Sequence, residues 1–445
     1  MKLAMVGGAG FRTPLVYSAL LRDHAPGRVS QVALVDPDAG RLATMAAILA
    51  DQARGATSAP AVSTHTDWAE GLRGADFIFS AMRVSGTEGR VLDERIGMSH
   101  GVIGQETVGF GGISYALRTI PVALNLARTI RKVAPDAWTI NFTNPAGIVT
   151  EAMQTVLGNR VIGICDSPIG LARRALSAIG VDSTRAEISY AGLNHLGWIT
   201  ALRVDGTDRL PDLLENSEAI ESFEEGKLFG AEWIRALGAL PNEYLHYYNF
   251  RRDVLRADQE AGLPRGHYLL RQQGQFWETA GDSSHPYQDW GICRHEREAS
   301  YMATNRESVG MGERDETDMT SGGYENVALA LMRGISYDER AHLILNVPNS
   351  GTLSELDDPA IVEVPCTVDR AGAHPIAGAK LPDFGVGLVT TMKYVERQTI
   401  LAATTGSSTA ALRALANHPL IDSVRVARAL LDDARASFPE LAYLC

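Results

Sequence analysis

Apolar and polar positions along the first third of the chain alternate between two periods. Short β-branched runs begin at Lys2 (KLAMV), Gln31 (QVALVD), Ala61 (AVSTHT), Ala75 (ADFIFSAM), Thr139 (TINFTN) and Arg160 (RVIGICD). Helical spacing separates them, from about Pro14 to Arg22, Ala39 to Arg54 and Ile113 to Val133. Strands and helices in that order predict a right-handed βαβ series on a parallel sheet. A further helix is expected from Ile169 to Gly180, after which the alternation loses its regularity. We therefore divide the chain near residue 170, into a Rossmann-type domain (1–170) and an α+β domain (171–445), an α/β protein overall.

In the second part AEISYAGLNHLGWI reads as a strand and a turn, Gly323 to Ile335 as a helix, and LILNVPN and AIVEVPCTVD as strands. The tail from Val386 to Ala434 reads as two helices joined near His418 and Pro419. Between Arg251 and Asp318 the chain is polar, with clusters such as RHERE and GERDETD, and predicts long loops or short helices over a site. Without an internal repeat or a Gly/Ser linker, the two parts are expected to pack closely.

Composition narrows the function. Of 445 residues, 45% are hydrophobic and 21% charged, enough for a large core and too apolar for disorder. Lys plus Arg is 41 against 53 for Asp plus Glu, and 41 − 53 = −12 is the wrong sign for holding nucleic acid by phosphate neutralisation. No run approaches the roughly 18 apolar residues of a membrane span, and the apolar start MKLAMV is too short for a signal peptide. The expectation is a cytoplasmic protein with a small-molecule partner and no membrane contact. Cys165, Cys293, Cys366 and Cys445 lie far apart without C-x-x-C spacing, which argues against a disulfide framework or a zinc knuckle.

The first chemical signal is GGAGFRTP after the opening strand. Gly8 and Gly10 supply the first two glycines of G-x-G-x-x-G, while Thr13 stands where the third would be. A glycine pair of this kind also serves as a plain strand-to-helix turn. Asp36, ending the second strand about 26 residues after Gly10, favours the dinucleotide reading. A carboxylate there accepts from both adenosine ribose hydroxyls and repels a 2′-phosphate, which selects NAD over NADP, with Arg41 as a mild counter-sign.

Polar residues also stand at the carboxyl ends of successive strands, where such sheets bind ligands. They are Ser80, Met82 and Arg83, then Asn144, then Cys165 and Asp166. Taken singly, Asn144 before a proline reads as a turn residue and Cys165 as a small core residue. Taken together with His195 in the next turn, a thiolate and an imidazole form a pair that holds a divalent transition metal and leaves positions open for sugar hydroxyls.

GGAGFRTP, SAMRVSG, GVIGQETVGFGGISYALRTIPV, INFTNPAG, GICDSPIGL, GLNHLGW and LPNEYLHYY together resemble the NAD- and metal-dependent glycosidases of glycoside hydrolase family 4, nearest the 6-phospho-β-glucosidase branch. The motifs are strong to about residue 250 and weaker beyond, through NVPNSG and VEVPC. The resemblance implies a fold similar to lactate and malate dehydrogenases, bound NAD, and a divalent metal, usually manganese. It also implies an exception to two-carboxylate glycosidase chemistry. NAD takes a hydride from sugar C3, the ketone acidifies C2–H, a base removes that proton, the aglycone is eliminated, water adds, and the hydride returns.

Carried over by position, Cys165 and His195 match the metal ligands, Tyr244 the C2 base and Asp166 the acid on the leaving oxygen. Asp166 follows the α-glycoside members, whereas the β branch has Asn there, so the anomer stays open. The cofactor expectation covers Gly8, Gly10, Phe11, Arg12, Asp36, Arg41, Met82 and Asn144. For the substrate it covers Arg83, Glu106, Asn144 and Asn194. Where relatives carry Arg-Gly-Gly, this chain has Ser321-Gly322-Gly323, and Arg294 or Arg297 could replace the lost charge, so an unphosphorylated or differently anionic glycoside stays open. A homodimer or homotetramer is implied. The rival from another class is an NAD-linked dehydrogenase of small hydroxy acids.

Overall fold

The computed structural model describes residues 1–314, 319 and 323–445. Six strands, β1 (Lys2–Val6), β2 (Gln31–Val35), β3 (Ala61–His65), β4 (Phe77–Ser80), β5 (Trp138–Asn141) and β6 (Val161–Gly163), pair in parallel in the order β3-β2-β1-β4-β5-β6. That is the strand order of a dinucleotide-binding sheet, which reverses direction between β1 and β4. Leu3, Ala4, Leu34 and Ile78 are wholly buried because helices cover both faces. Each large apolar side chain buried this way contributes roughly 1.5–3 kcal/mol relative to exposure.

The sheet continues through the second half of the chain. There it adds β7 (Ala186–Leu193), β8 (Leu196–Val204), β9 (Thr207–Asp208), β10 (Leu240–Pro241), β11 (Ala341–Pro348), β12 (Ile361–Asp369) and β13 (Gly372–Pro375). β6 meets β11 antiparallel at Gly163 and Asn346, β11 pairs with β12, and β12 touches β7 at Glu363 and Gly192. β7 and β8 form a hairpin whose two-residue turn is Asn194-His195. Among the described residues thirteen strands are thus joined in one sheet, with β11 and β12 between β6 and the hairpin.

Several expected elements differ. The polar stretch forms helices Arg251–Ala261, Arg265–Ala280, Pro286–Ala299 and Ala303–Ser308. Each buries only a narrow stripe, such as Gly266, Leu269, Phe276 and Ala280, so no wide apolar face shows in the sequence. The tail forms three helices, Asp383–Thr405, Ser408–Asn417 and Val424–Ser437. The extra break falls at Gly406, left-handed at φ +73°, followed by Ser407, whose side chain accepts from the Ala410 N–H. Helices Gly86–Ser99 and Ala146–Leu157 were not foreseen, and the helix expected from Ile113 begins at Gly109. Glycine-rich starts hide these elements, because glycine is a poor helix former.

Candidate active site

The loop after β1 is tied to β2 by hydrogen bonds from Gly7 and Gly8 N–H to the Val35 carbonyl, 2.9 and 3.1 Å long. Gly7 is left-handed at φ +79°, and a Cβ there would lie 2.5 Å from the Ala81 oxygen. A Cβ on Gly8 would lie 2.8 Å from Leu34 Cα. Gly7 is therefore a required glycine that the motif, counted from Gly8, passed over. Where the third glycine was missing, the Thr13 hydroxyl donates back to the Gly8 carbonyl at 2.9 Å and closes the loop.

Around this loop Phe11 packs edge-on against Phe276 at 5.6 Å, and its carbonyl accepts from Trp290 Nε1 at 2.7 Å. The Arg12 guanidinium lies over the rings of Phe142 and Tyr324, 5.8 and 5.3 Å from their centres. Asp36, half-buried at the tip of β2, accepts from the Asp38 N–H at 3.1 Å, and burial pushes its carboxyl up. Arg41 pairs with Asp38 at 3.5 Å and lies over Trp277, and its charge still works against the rise of the Asp36 carboxyl.

The loop opens onto a cleft of about 460 Å³. Of the residues singled out in the sequence, Gly10, Phe11, Arg12, Asp36, Arg41, Met82, Arg83, Glu106, Asn144, Cys165, Asp166, His195 and Tyr244 line it. Gly8 lies behind the loop, against β2. Asn194 also faces elsewhere: its Oδ1 accepts from the Ala146 N–H at 3.1 Å and its Nδ2 donates to Glu363 at 3.3 Å. The expected substrate contact at Asn194 is replaced by a role inside the hairpin turn.

Cys165 is buried just past β6, and Asp166 leads into helix Ser167–Ala178. His195 occupies the turn at φ +62° and stacks on Tyr244, with ring centres 3.7 Å apart. Among the described residues no group of three His, Cys, Asp or Glu could hold a metal on protein ligands alone. Cys165 and His195 supply a sulfur and a nitrogen donor, a pair that suits a divalent transition metal completed by substrate and water. His195 Nδ1 is buried without a hydrogen-bond partner, and burial lowers the imidazole to about 3, keeping it in the neutral form a ligand requires. Burial, then Glu363, then Asp166 push the Cys165 thiol up.

Behind Tyr244 runs a chain of hydroxyls and acids. The Tyr301 hydroxyl lies 2.7 Å from Glu243 Oε1 and 3.1 Å from the Tyr244 hydroxyl. Glu243 also accepts from Ser167 at 3.1 Å and sits 3.9 Å from Arg174. Burial and the neighbouring Glu225 raise its carboxyl to about 7. Burial, then Glu243, push the Tyr244 phenol well above its ordinary value.

On the opposite wall Glu106 bridges Arg83 at 2.6 Å and Arg90 at 2.7 Å. Burial alone would raise this carboxyl, but Arg83, Arg90 and Arg297 hold it well below the usual carboxylate range. Arg83, expected to read a phosphate, thus has its charge met inside the protein. Asn144 donates to the Phe142 carbonyl at 3.3 Å, while its Oδ1 is buried without a partner. Ser321 and Gly322 lie outside the described residues. Sequence reasoning missed Tyr301, Glu243 and Glu363. Glu363 was the most legible of these, as a lone acid in the apolar strand AIVEVPC.

A twisted sheet that binds at the reversal between β1 and β4 is the architecture of the dinucleotide-dependent dehydrogenases. Malate dehydrogenase from Plasmodium falciparum superposes with TM-score 0.50 at 12% identity, covering 91% of this chain and 98% of that one, a likeness of fold alone. Residues 2–181 match the family 4 glycosyl hydrolases, and residues 190–421 match the C-terminal domain of the same family. The chain belongs to family 4 of the glycosyl hydrolases. It is 30% identical to a probable 6-phospho-β-glucosidase of Bacillus subtilis, over 97% of this chain and 95% of the relative. It is likewise 30% identical to a 6-phospho-α-glucosidase of Leptotrichia buccalis, over 97% and 96%. The 6-phospho-β-glucosidase of Thermotoga maritima, solved with manganese, NAD+ and glucose 6-phosphate, superposes with TM-score 0.82 at 26% identity and 98% coverage of both chains. Among the described residues no helix is long and apolar enough to cross a membrane.

Proposed function

We propose that this chain is an NAD- and divalent-metal-dependent glycosidase acting on 6-phospho-β-glucosides or a close glycoside. The observation that carries the reading is the convergence of Cys165, His195 and Tyr244 on the cleft that the glycine loop opens into. A dehydrogenase of hydroxy acids needs neither a thiolate-imidazole pair nor a tyrosine base. When bound, NAD supplies a reversible hydride acceptor for sugar C3, and the metal supplies positive charge that steadies anionic sugar oxygens and draws the Tyr244 phenol down towards neutrality.

In this reading residues 1–170 carry the dinucleotide, and 171–445 contribute His195, Tyr244 and the helices over the cleft. Asp36 accepts the adenosine ribose hydroxyls. Cys165 and His195 hold the metal, with the imidazole kept neutral by burial. Tyr244 takes the C2 proton, and stacking on His195 fixes the direction from which it does so. Asp166, at the entrance of its helix, protonates the leaving oxygen. Arg83 and Glu106, locked to each other, and Asn144 with its free Oδ1 bind sugar hydroxyls. A second reading keeps the mechanism and drops or changes the phosphate, and the pairing of Arg83 with Glu106 favours it. We place the enzyme in the cytoplasm as a homodimer or homotetramer.

Release of nitrophenol from p-nitrophenyl β-glucoside and its 6-phosphate, with NAD and Mn²⁺ each added or omitted, tests the proposal. Turnover that needs both additives, with NAD only catalytic, is the expected result. Steady accumulation of NADH on a hydroxy acid, with no nitrophenol from either glycoside or from the α-anomers, would overturn it.

A further inference from the structure

Most arginines on the cleft have their charge met by a carboxylate. Arg83 and Arg90 share Glu106, Arg90 also meets Glu94 at 2.7 Å, Arg174 meets Glu225, and Arg314 meets Glu224 at 2.7 Å. Three differ: Arg12, Arg265 and Arg297 line the cleft, and none has a carboxylate oxygen within 4 Å among the described residues. Arg12 is covered by aromatic rings. Arg265 donates to the carbonyls of Ser300 and Arg297 and lies over Tyr301, so its plane is fixed by backbone.

Arg297 has less to hold it. It rests over the Phe11 ring at 5.7 Å, and among the described residues its guanidinium makes no hydrogen bond. Burial, Arg12 and Arg265 work against its charge, Glu298 and Glu106 only partly offset them, and the balance lowers it to about 9; burial followed by Arg90 lowers Arg265 to about 10. Half-buried cations crowded together with no carboxylate in direct contact among the described residues are less favourable in the protein alone than once an anion enters. A guanidinium fork suits a phosphate oxygen pair.

We propose that Arg297, flanked by Arg12 and Arg265, is the phosphate-binding arginine of this cleft, in place of Arg83. The inference rests on the glycosidase reading where the phosphate is the substrate's. The same chemistry fits the dinucleotide pyrophosphate, because Phe11 and Arg12 belong to the glycine loop.

The test compares wild type, Arg297→Gln and Arg297→Lys by calorimetric titration with glucose 6-phosphate, glucose and NAD. Arg297→Gln should weaken one phosphorylated ligand by about ten- to hundredfold, the loss expected for charge-assisted hydrogen bonds, with Arg297→Lys in between. Loss confined to glucose 6-phosphate assigns the substrate as the source, and loss confined to NAD assigns the pyrophosphate. Because Arg297 gives up no hydrogen bond or carboxylate contact among the described residues, only its place over Phe11, the Gln variant should unfold close to the wild-type temperature or above. Affinities for both ligands within twofold of wild type, or a lowered unfolding temperature without loss of affinity, overturn the inference. So does a wild type that binds neither ligand. A wild type that binds both but hydrolyses no glycoside overturns the glycosidase reading instead, and the two affinities still decide the role of Arg297.

Discussion

Replacing Tyr301 by Phe isolates the contribution of the hydroxyl chain to proton removal. The ring should stay in place, because Arg265 and Arg314 each lie 5.1 Å from its centre. Only the hydroxyl between Tyr244 and Glu243 is lost. In the resting protein the single Tyr301 proton has two acceptors within reach, Glu243 at 2.7 Å and the Tyr244 hydroxyl at 3.1 Å. When Tyr244 is ionised, Tyr301 can donate that proton to the phenolate. A hydrogen bond to a charged oxygen is worth about 1.5–3 kcal/mol, so its loss should slow C2 proton removal by about ten- to hundredfold. Exchange of the C2 proton with deuterated solvent, followed by NMR, reads that step directly, and a C2-deuterated substrate should show an undiminished isotope effect. Substrate affinity should hold, since Tyr301 reaches the sugar only through Tyr244. An exchange rate within twofold of wild type would refute the chain, and equal losses in exchange and in affinity would make Tyr301 a packing residue.

Further outcomes follow from the same geometry. Cys165→Ser should keep the fold but lose bound metal, measured by elemental analysis after dialysis against Mn²⁺; unchanged metal content would return Cys165 to the core. Glu363→Gln should weaken Mn²⁺ binding by about ten- to hundredfold, because Glu363 holds Asn194 beside His195, and the loss is read by titration of metal into the protein. Gly7→Ala should cost at least about 1–2 kcal/mol from its left-handed backbone alone, seen as a lower urea midpoint. Glu243 keeps its proton to about pH 7 in the fold, whereas an unfolded carboxyl loses it near 4.5, so this group's burial favours unfolding progressively as pH rises between those values. Glu243→Gln should therefore gain unfolding temperature relative to wild type from pH 5 to pH 8, and a difference independent of pH would contradict the raised carboxyl.

The parallel half of the sheet was legible because strands buried on both faces leave continuous apolar runs; β1, β2, β4 and β6 fall within the runs read from the sequence, and β5 begins one residue earlier, at Trp138. Helices that begin with glycines, such as Gly86–Ser99 and Gly109–Val133, were hidden or shortened because propensity opposes them and tertiary packing does not show in one dimension. The cofactor loop shows the same limit. G-x-G spacing pointed to Gly8 and Gly10, but the demand for glycine at position 7 comes from the Ala81 carbonyl, 74 residues away.

Residues that act through others were the least legible. His195 and Cys165 stood out as metal-donor types at the ends of strands, yet Asn194 beside them looked equally available. Its amide is consumed by Ala146 and Glu363, a geometry set by β12 meeting β7 at a single residue pair. Glu363 carries no sequence spacing to the site. Among the described residues its carboxyl has only neutral hydrogen-bond partners, Asn346, Asn194 and Tyr190, and burial raises it to about 7. A carboxyl so placed is costly unless it does something for its neighbours, and the neighbours it orders are the hairpin turn and, through it, the imidazole. The position of the His195 imidazole is thus set by a contact between three strands distant in sequence, which is why its donor type could be read from the chain and its support could not.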